Sequence, residues 1–259
     1  TNTNSFEAVG QVRILQGDTL SLVGDSLYYD GENLIAYMRY NVELTHHNRK
    51  LNTDSLDYDR LLNKGYFFEG GTLVDDVNTL TSDFGEYFTD TKDANFFFGV
   101  TLNGPNYTIY SDTLKYNTDS KWAYVTGPSE IHNGANRIYT ELGYYNTHLE
   151  LAKLYKRSTL RGSNRIMTGD TIIYDKLSGD MFAYNNIDYH DQANKNILQG
   201  NYVWYNELTG SALVYDRALV KDYSSGPDTL YMHADTIKLT TYNLNTDSVS
   251  RIVEGYYHV

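Results

Sequence analysis

Residues 51–73 read LNTDSLDYDRLLNKGYFFEGGTL, and their order decides the fold. Leu51, Thr53 and Asp54 put an apolar residue, a small residue and an acid ahead of an alternation through Leu56 and Tyr58. Residues 60–64 read as a turn, and a second apolar stretch ends at Leu73. Alternation of period two puts every second side chain on one face of a strand. The unit then returns. Asp25, Asp54, Asp83, Asp112, Glu141 and Asp170 stand 29 residues apart, and the interval loosens to 31 at Asn201 and 34 at Asp235. A fixed period of this length marks a repeat architecture.

Other columns hold the same phase. Four residues after the acid stand Tyr29, Tyr58, Tyr87, Tyr116, Tyr145, Tyr174 and Tyr205. The residue just before it is always small, as at Gly24, Ser82, Thr140 and Gly200. Apolar residues recur three before it (Leu22, Leu51, Leu80, Ile109) and nineteen after it (Leu44, Leu73, Leu102, Ile131, Leu160). The chain therefore reads as about eight two-strand copies of 29 residues, with 6–14 as the tail of a further one. One copy cannot bury its own apolar face, whereas stacked copies share a continuous core. Residues 1–259 read as a single, elongated, solenoid-like all-β repeat domain.

Composition agrees. Tyrosine is abundant (26 of 259 residues) and proline scarce (3), a bias toward pleated surfaces. No stretch shows a helical period, and none reads as a membrane-spanning helix. The formal charge of -12 disfavours nucleic acid, whose phosphates it repels. The absence of cysteine removes disulfides, thiolate metal sites and thiol nucleophiles together. The opening TNTNSFEAVG lacks the basic and apolar regions of a signal peptide, so a leader is expected to be missing from this sequence.

Locally, residues 6–15 and 20–23 read as strands, and the first full copy gives strands at 25–30 and 36–44. The acid then sits at a strand start, capping its own turn through an Asx hydrogen bond. Fifteen residues after the acid the core pattern lapses and glycines cluster (Gly70, Gly71, Gly99, Gly127), which predicts a bend or bulge. Extra residues near 190–196 and 223–229 account for the two stretched intervals. His46 and His47, adjacent on a strand, point to opposite faces, which suits a solvated edge better than a metal site. No metal or other cofactor is expected.

The columns two, four and nineteen after the acid form the candidate inner face: Leu27, Tyr29, Leu44, Leu56, Tyr58, Leu73, Leu102, Leu114, Tyr116, Ile131, Leu160, Ile172 and Val203. Gly85 and Gly143 interrupt the first of these columns, where the interior is expected to widen. Lys153, Lys156, Arg157, Arg161 and Arg165 form a basic cluster in an acidic chain. It is a solvated face by default and a candidate anion contact. GxSxG, HExxH, the P-loop and GxGxxG after a strand are all absent, so no enzymatic activity is expected. These residues alone leave open whether the strands stack in parallel or zigzag antiparallel.

The stretches GDSLYYDGENLIAY (24–37), TDSLDYDRLLNKGY (53–66), SDTLKYNTDSKWAY (111–124) and GDTIIYDKLSGDMF (169–182) resemble the OstA-like family. It covers the periplasmic lipopolysaccharide-transport proteins LptA and LptC and the N-terminal domain of LptD. The resemblance implies an open, twisted β-jellyroll of antiparallel strands with an apolar interior. It further implies a non-enzymatic carrier or bridge, periplasmic or outer-membrane-associated, that shelters the acyl chains of lipopolysaccharide or a related glycolipid. The inner face would then line the groove, and the basic cluster would meet the head group. Implied partners are homologous β-jellyroll domains of a transport bridge and further copies of the chain, head to tail. The other reading is a structural or carbohydrate-binding β-solenoid of the cell envelope.

Overall fold

The computed structural model describes residues 4–224, 226, 228–244 and 248–259, so Ser225 and Pro227 of the second expected insertion lie outside the described residues. Two compact units divide the chain, Thr1–Ser129 and Glu130–Val259. Unit 1 holds β1 (Phe6–Gln16), β2 (Leu20–Asp30), β3 (Ile35–His46), β4 (Arg49–Asp59), β5 (Lys64–Asp75), β6 (Asn78–Phe88), β7 (Asp93–Asn103) and β8 (Tyr107–Asn117). The division falls within β9 (Trp122–Asn133). Unit 2 holds β10 (Asn136–Asn146), β11 (Leu151–Arg161), β12 (Arg165–Asp175), β13 (Asp180–Asp191), β14 (Asn196–Asn206), β15 (Ser211–Asp222), β16 (Leu230–Tyr242) and β17 (Ser250–Tyr256). There is no helix among the described residues.

Within each unit every strand pairs antiparallel with the next, from β1 to β8 and from β10 to β17. The zigzag alternative is the one the chain adopts, as an open β-jellyroll.

Each two-strand copy is bent at mid-strand. The ladder breaks between Val23 and Ser26, between Thr53 and Leu56, and at the matching place in later copies. Opposite these breaks the backbone turns left-handed at Tyr40 and Asn41, at Glu69 and Gly70, at Phe98 and Gly99, and at Asn185 and Asn186. Glycine and asparagine tolerate that region; tyrosine and phenylalanine enter it only where surrounding pairing imposes it. The expected bulge is therefore present, and it swings the second half of each strand across the first.

The position of the acids is a correction. They do not begin strands: Asp25 lies in the middle of the continuous strand Leu20–Asp30. They sit outside the bend and serve the neighbouring strand. Asn41 donates its amide Nδ2 to Asp25 Oδ2 (2.6 Å) and its backbone N–H to Asp54 Oδ1 (3.2 Å), and Asn186 Nδ2 donates to Asp170 Oδ2 (2.6 Å). A left-handed residue aims its N–H away from the ladder, and the carboxylate takes it up. The Asx turns belong instead to the residue five after the acid, as at Asp59, Asn117, Asn146 and Asp175, each accepting two backbone N–H groups.

The small residue before the acid faces the inside of the bend. Where it carries a hydroxyl, that group donates to the carbonyl two residues on: Ser82 to Phe84 (2.8 Å), Ser111 to Thr113 (2.8 Å) and Thr140 to Leu142 (2.9 Å). Where it is glycine, space decides. A Cβ on Gly200 would stand 2.6 Å from Val214 Cγ1.

Candidate functional site

Bending brings the turns at the two ends of the strands together along a seam, and in unit 1 that seam is shut by polar side chains. Gln16 Nε2 donates to Asn63 Oδ1 (3.0 Å). His46 is buried between Tyr87, whose hydroxyl lies 3.0 Å from Nδ1, and Lys92, whose ammonium lies 3.2 Å from Nε2. One repeat later, Asp75 accepts from the Tyr116 hydroxyl (2.9 Å) and from Lys121 Nζ (2.7 Å). Each residue of the second trio stands 29 after its counterpart in the first. Arg49 joins this second closure, with Nε 3.4 Å from Asp75 Oδ1 and Nη2 on Asp119. The solvated edge expected for His46 is thus corrected: seam closure covers it, and only His47 stays exposed.

Below the seam the interior of unit 1 is filled. Leu56, Phe67, Leu73, Leu80, Leu102 and Leu114 are fully buried. The widening expected at Gly85 is absent, because a Cβ there would meet the Phe67 ring at 2.6 Å and Phe96 at 3.0 Å. At Gly143, Leu154 takes up the space, 3.2 Å from such a Cβ. The tyrosine column fills core rather than forming an outer platform. Tyr58, Tyr87, Tyr116 and Tyr145 are buried, and burial pushes the Tyr145 phenol up to about 12.

Unit 2 is different. A cavity of about 550 Å³ opens among the same inner columns, floored by Met167, Leu198, Val203, Ala212, Val220 and Ile237. Its polar residues come from strand ends and turns: Arg165 begins β12, Asp191 ends β13, Asn194 and Lys195 form the following turn, and Asp222 ends β15. Arg251 of β17 completes the rim. The turn at 192–195, where the repeat is first stretched, lines this opening through Ala193, Asn194 and Lys195, and Ser224, two residues after the end of β15, lines it as well.

Rim charges are largely ordered. Arg165 Nε lies 3.4 Å from Asp191 Oδ2, and its Nη1 donates to the Tyr205 hydroxyl (2.7 Å). Burial raises the Tyr189 and Tyr205 phenols above their ordinary range, so neither adds negative charge. The Ser224 hydrogen bonds hold Asp222 below the usual carboxylate range and keep it ionised.

The candidate inner-face residues all point into the fold. Leu27, Leu44, Leu56, Tyr58, Leu73, Leu102, Leu114, Tyr116, Ile131 and Ile172 are buried in packed core, and Tyr29 and Leu160 are half-buried. Of the thirteen, Val203 lines the cavity. The basic cluster does not act as one patch. Lys153 and Arg161 lie on the outer face of β11. Lys156 and Arg157 sit at its bend, beside Glu141 (3.9 Å) and Asp170 (3.5 Å). Arg165 alone of the five reaches the cavity. Sequence reading missed Lys195, Asp222 and Arg251, although the first stretched interval, near 190–196, pointed to Lys195.

His46 gives the shut seam a pH dependence. Burial, then Lys92, His47 and Arg49, lower its pKa from 6.5 to about 4. Between those values the unfolded chain binds the proton and the folded chain does not, so stability is full above 6.5 and falls toward 4. The urea midpoint should therefore drop between about pH 7 and about pH 4.5 more steeply in the parent than in His46→Gln. Parallel slopes would reject this role.

Residues 1–112 match the family of OstA-like proteins. Among solved structures the chain is similar to LptH, "the LptA homologous periplasmic component of the conserved lipopolysaccharide transport device from Pseudomonas aeruginosa". Identity is 13% and the TM-score 0.36, over 39% of this chain and 80% of that one. No curated protein sequence matches the chain.

Proposed function

We propose that this chain, OstA-like over residues 1–112, is a non-enzymatic carrier or bridge that shelters acyl chains of lipopolysaccharide or a related glycolipid in the periplasm. The apolar cavity under the rim of Arg165, Lys195 and Arg251 is the observation that carries this reading. Acyl chains leave water there while the polar head stays at the strand ends. Each sheltered methylene contributes about 0.8 kcal/mol, so part of one chain suffices for useful binding. The proposal takes residues 1–259 as one functional repeat domain. Its partners would be homologous β-jellyroll domains or further copies, met at edge strands such as β17, where Ile252 and Val253 are exposed and unpaired backbone groups recruit strands.

A photo-reactive side chain at Val220 or Leu239, both half-buried in the cavity wall, should capture glycolipid. The same group at exposed Lys115 should capture little. Folding of each variant must be checked, since overpacking costs about 1–3 kcal/mol. Equal capture at all three sites in folded variants would remove the support and favour a structural solenoid.

A further inference from the structure

We propose that the cavity of unit 2 holds one acyl chain of an anionic amphiphile, with a phosphate or like group against Lys195 and Arg251, and that unit 1 holds none. This deepens the carrier reading and rests on it.

Size is the first argument. A volume of about 550 Å³ falls within the roughly 300–1,000 Å³ of sites that enclose a single small ligand. Among the described residues of unit 1 the same columns are filled by side chains. Phe67, Phe96 and the leucines around them are packed to at most 1% exposure, and the seam above them is shut by Asp75, Arg49 and Lys121.

Charge is the second. Three cations (Arg165, Lys195, Arg251) and two carboxylates (Asp191, Asp222) line the cavity, a net positive mouth on a chain of charge -12. Arg165 is taken by Asp191. Arg251 donates to a neutral acceptor, Asn194 Oδ1 (2.8 Å). Among the described residues neither Lys195 nor Arg251 has a carboxylate within ion-pair distance. Both are exposed, and both stand where the polar end of a chain lying on Leu198, Val220 and Leu239 would emerge. An anion there gains charge-assisted hydrogen bonds that a neutral head group lacks.

The test is native mass spectrometry of the full chain with three probes: a lysophosphatidate, the monoacylglycerol of the same chain length, and glycerol phosphate. The expected result is one lysophosphatidate per chain, bound about tenfold more tightly than the monoacylglycerol, with glycerol phosphate alone not retained. Lys195→Gln with Arg251→Gln should bring lysophosphatidate down to the affinity of the monoacylglycerol; both positions are exposed, so folding is not at stake. Two or more lipids per chain, equal affinity for the two amphiphiles, or glycerol phosphate binding as well as the lipid would overturn the inference and leave the carrier reading intact. Failure of both amphiphiles to bind would overturn the inference and the carrier reading together.

Discussion

Asp75→Ala should lower the unfolding free energy by about 3–5 kcal/mol, the cost of leaving buried charges without their partner. Asp75 is fully buried at the seam and serves Arg49, Lys121 and the Tyr116 hydroxyl together. Arg49 is itself buried; it keeps Asp119 at Nη2, but its Nε loses the carboxylate beside it where water reaches poorly. Lys121 retains Asp76 (3.0 Å), which limits the loss on that side. The matched control is Asp76→Ala. That carboxylate is half exposed, and an exposed pair is worth about 0–1 kcal/mol. Urea unfolding of both variants reads the difference directly, and an Asp75→Ala protein within about 1 kcal/mol of the parent would show that the seam does not hold unit 1 shut.

Phe67→Ala should cost about 3–5 kcal/mol, and the reason lies in the glycines around it. Phe67 is fully buried and pairs across the ladder with Gly85. A Cβ on Gly71 would stand 2.5 Å from its ring. These glycines carry no side chain that could relax into the void. The pair should also be strongly non-additive. Gly85→Ala alone overpacks the ring, at about 1–3 kcal/mol. In the Phe67→Ala background the two closest clashes are gone and Phe96, at 3.0 Å, has the new void to shift into, so the added methyl should cost far less or stabilise. A double-mutant cycle checks this, and additivity within about 0.5 kcal/mol would mean that the two positions do not share one volume.

That pair also shows where sequence reading stops. Period and columns made the strands, the inner face and the bend legible, because each is a local consequence of alternation and backbone preference. Gly85 read alone looked like a gap. Its meaning depends on Phe67, eighteen residues earlier in the chain and opposite it in the ladder. The acids misled for a similar reason. An Asp before an alternating run suits an Asx turn, but that work falls to Asp59 and its equivalents, while Asp54 serves Asn41 on the preceding strand. The cavity was half legible: the extra residues near 190–196 marked part of its rim, while Arg251 comes from β17, a terminal strand that the repeat columns do not reach and that reads as an edge rather than as part of a site.

The seam has one more consequence, for how unit 1 comes apart. Ladder hydrogen bonds tie each copy to the next, and an array held only so would fray one copy at a time. The trios skip a copy: His46 of the first meets Tyr87 and Lys92 of the third, and Asp75 of the second meets Tyr116 and Lys121 of the fourth. Opening one copy therefore breaks ladder contacts with its neighbours and a side-chain closure with a copy beyond them. The smallest stretch able to make such a closure is three copies long. Hydrogen exchange in unit 1 should accordingly report a cooperative block larger than the 29-residue period.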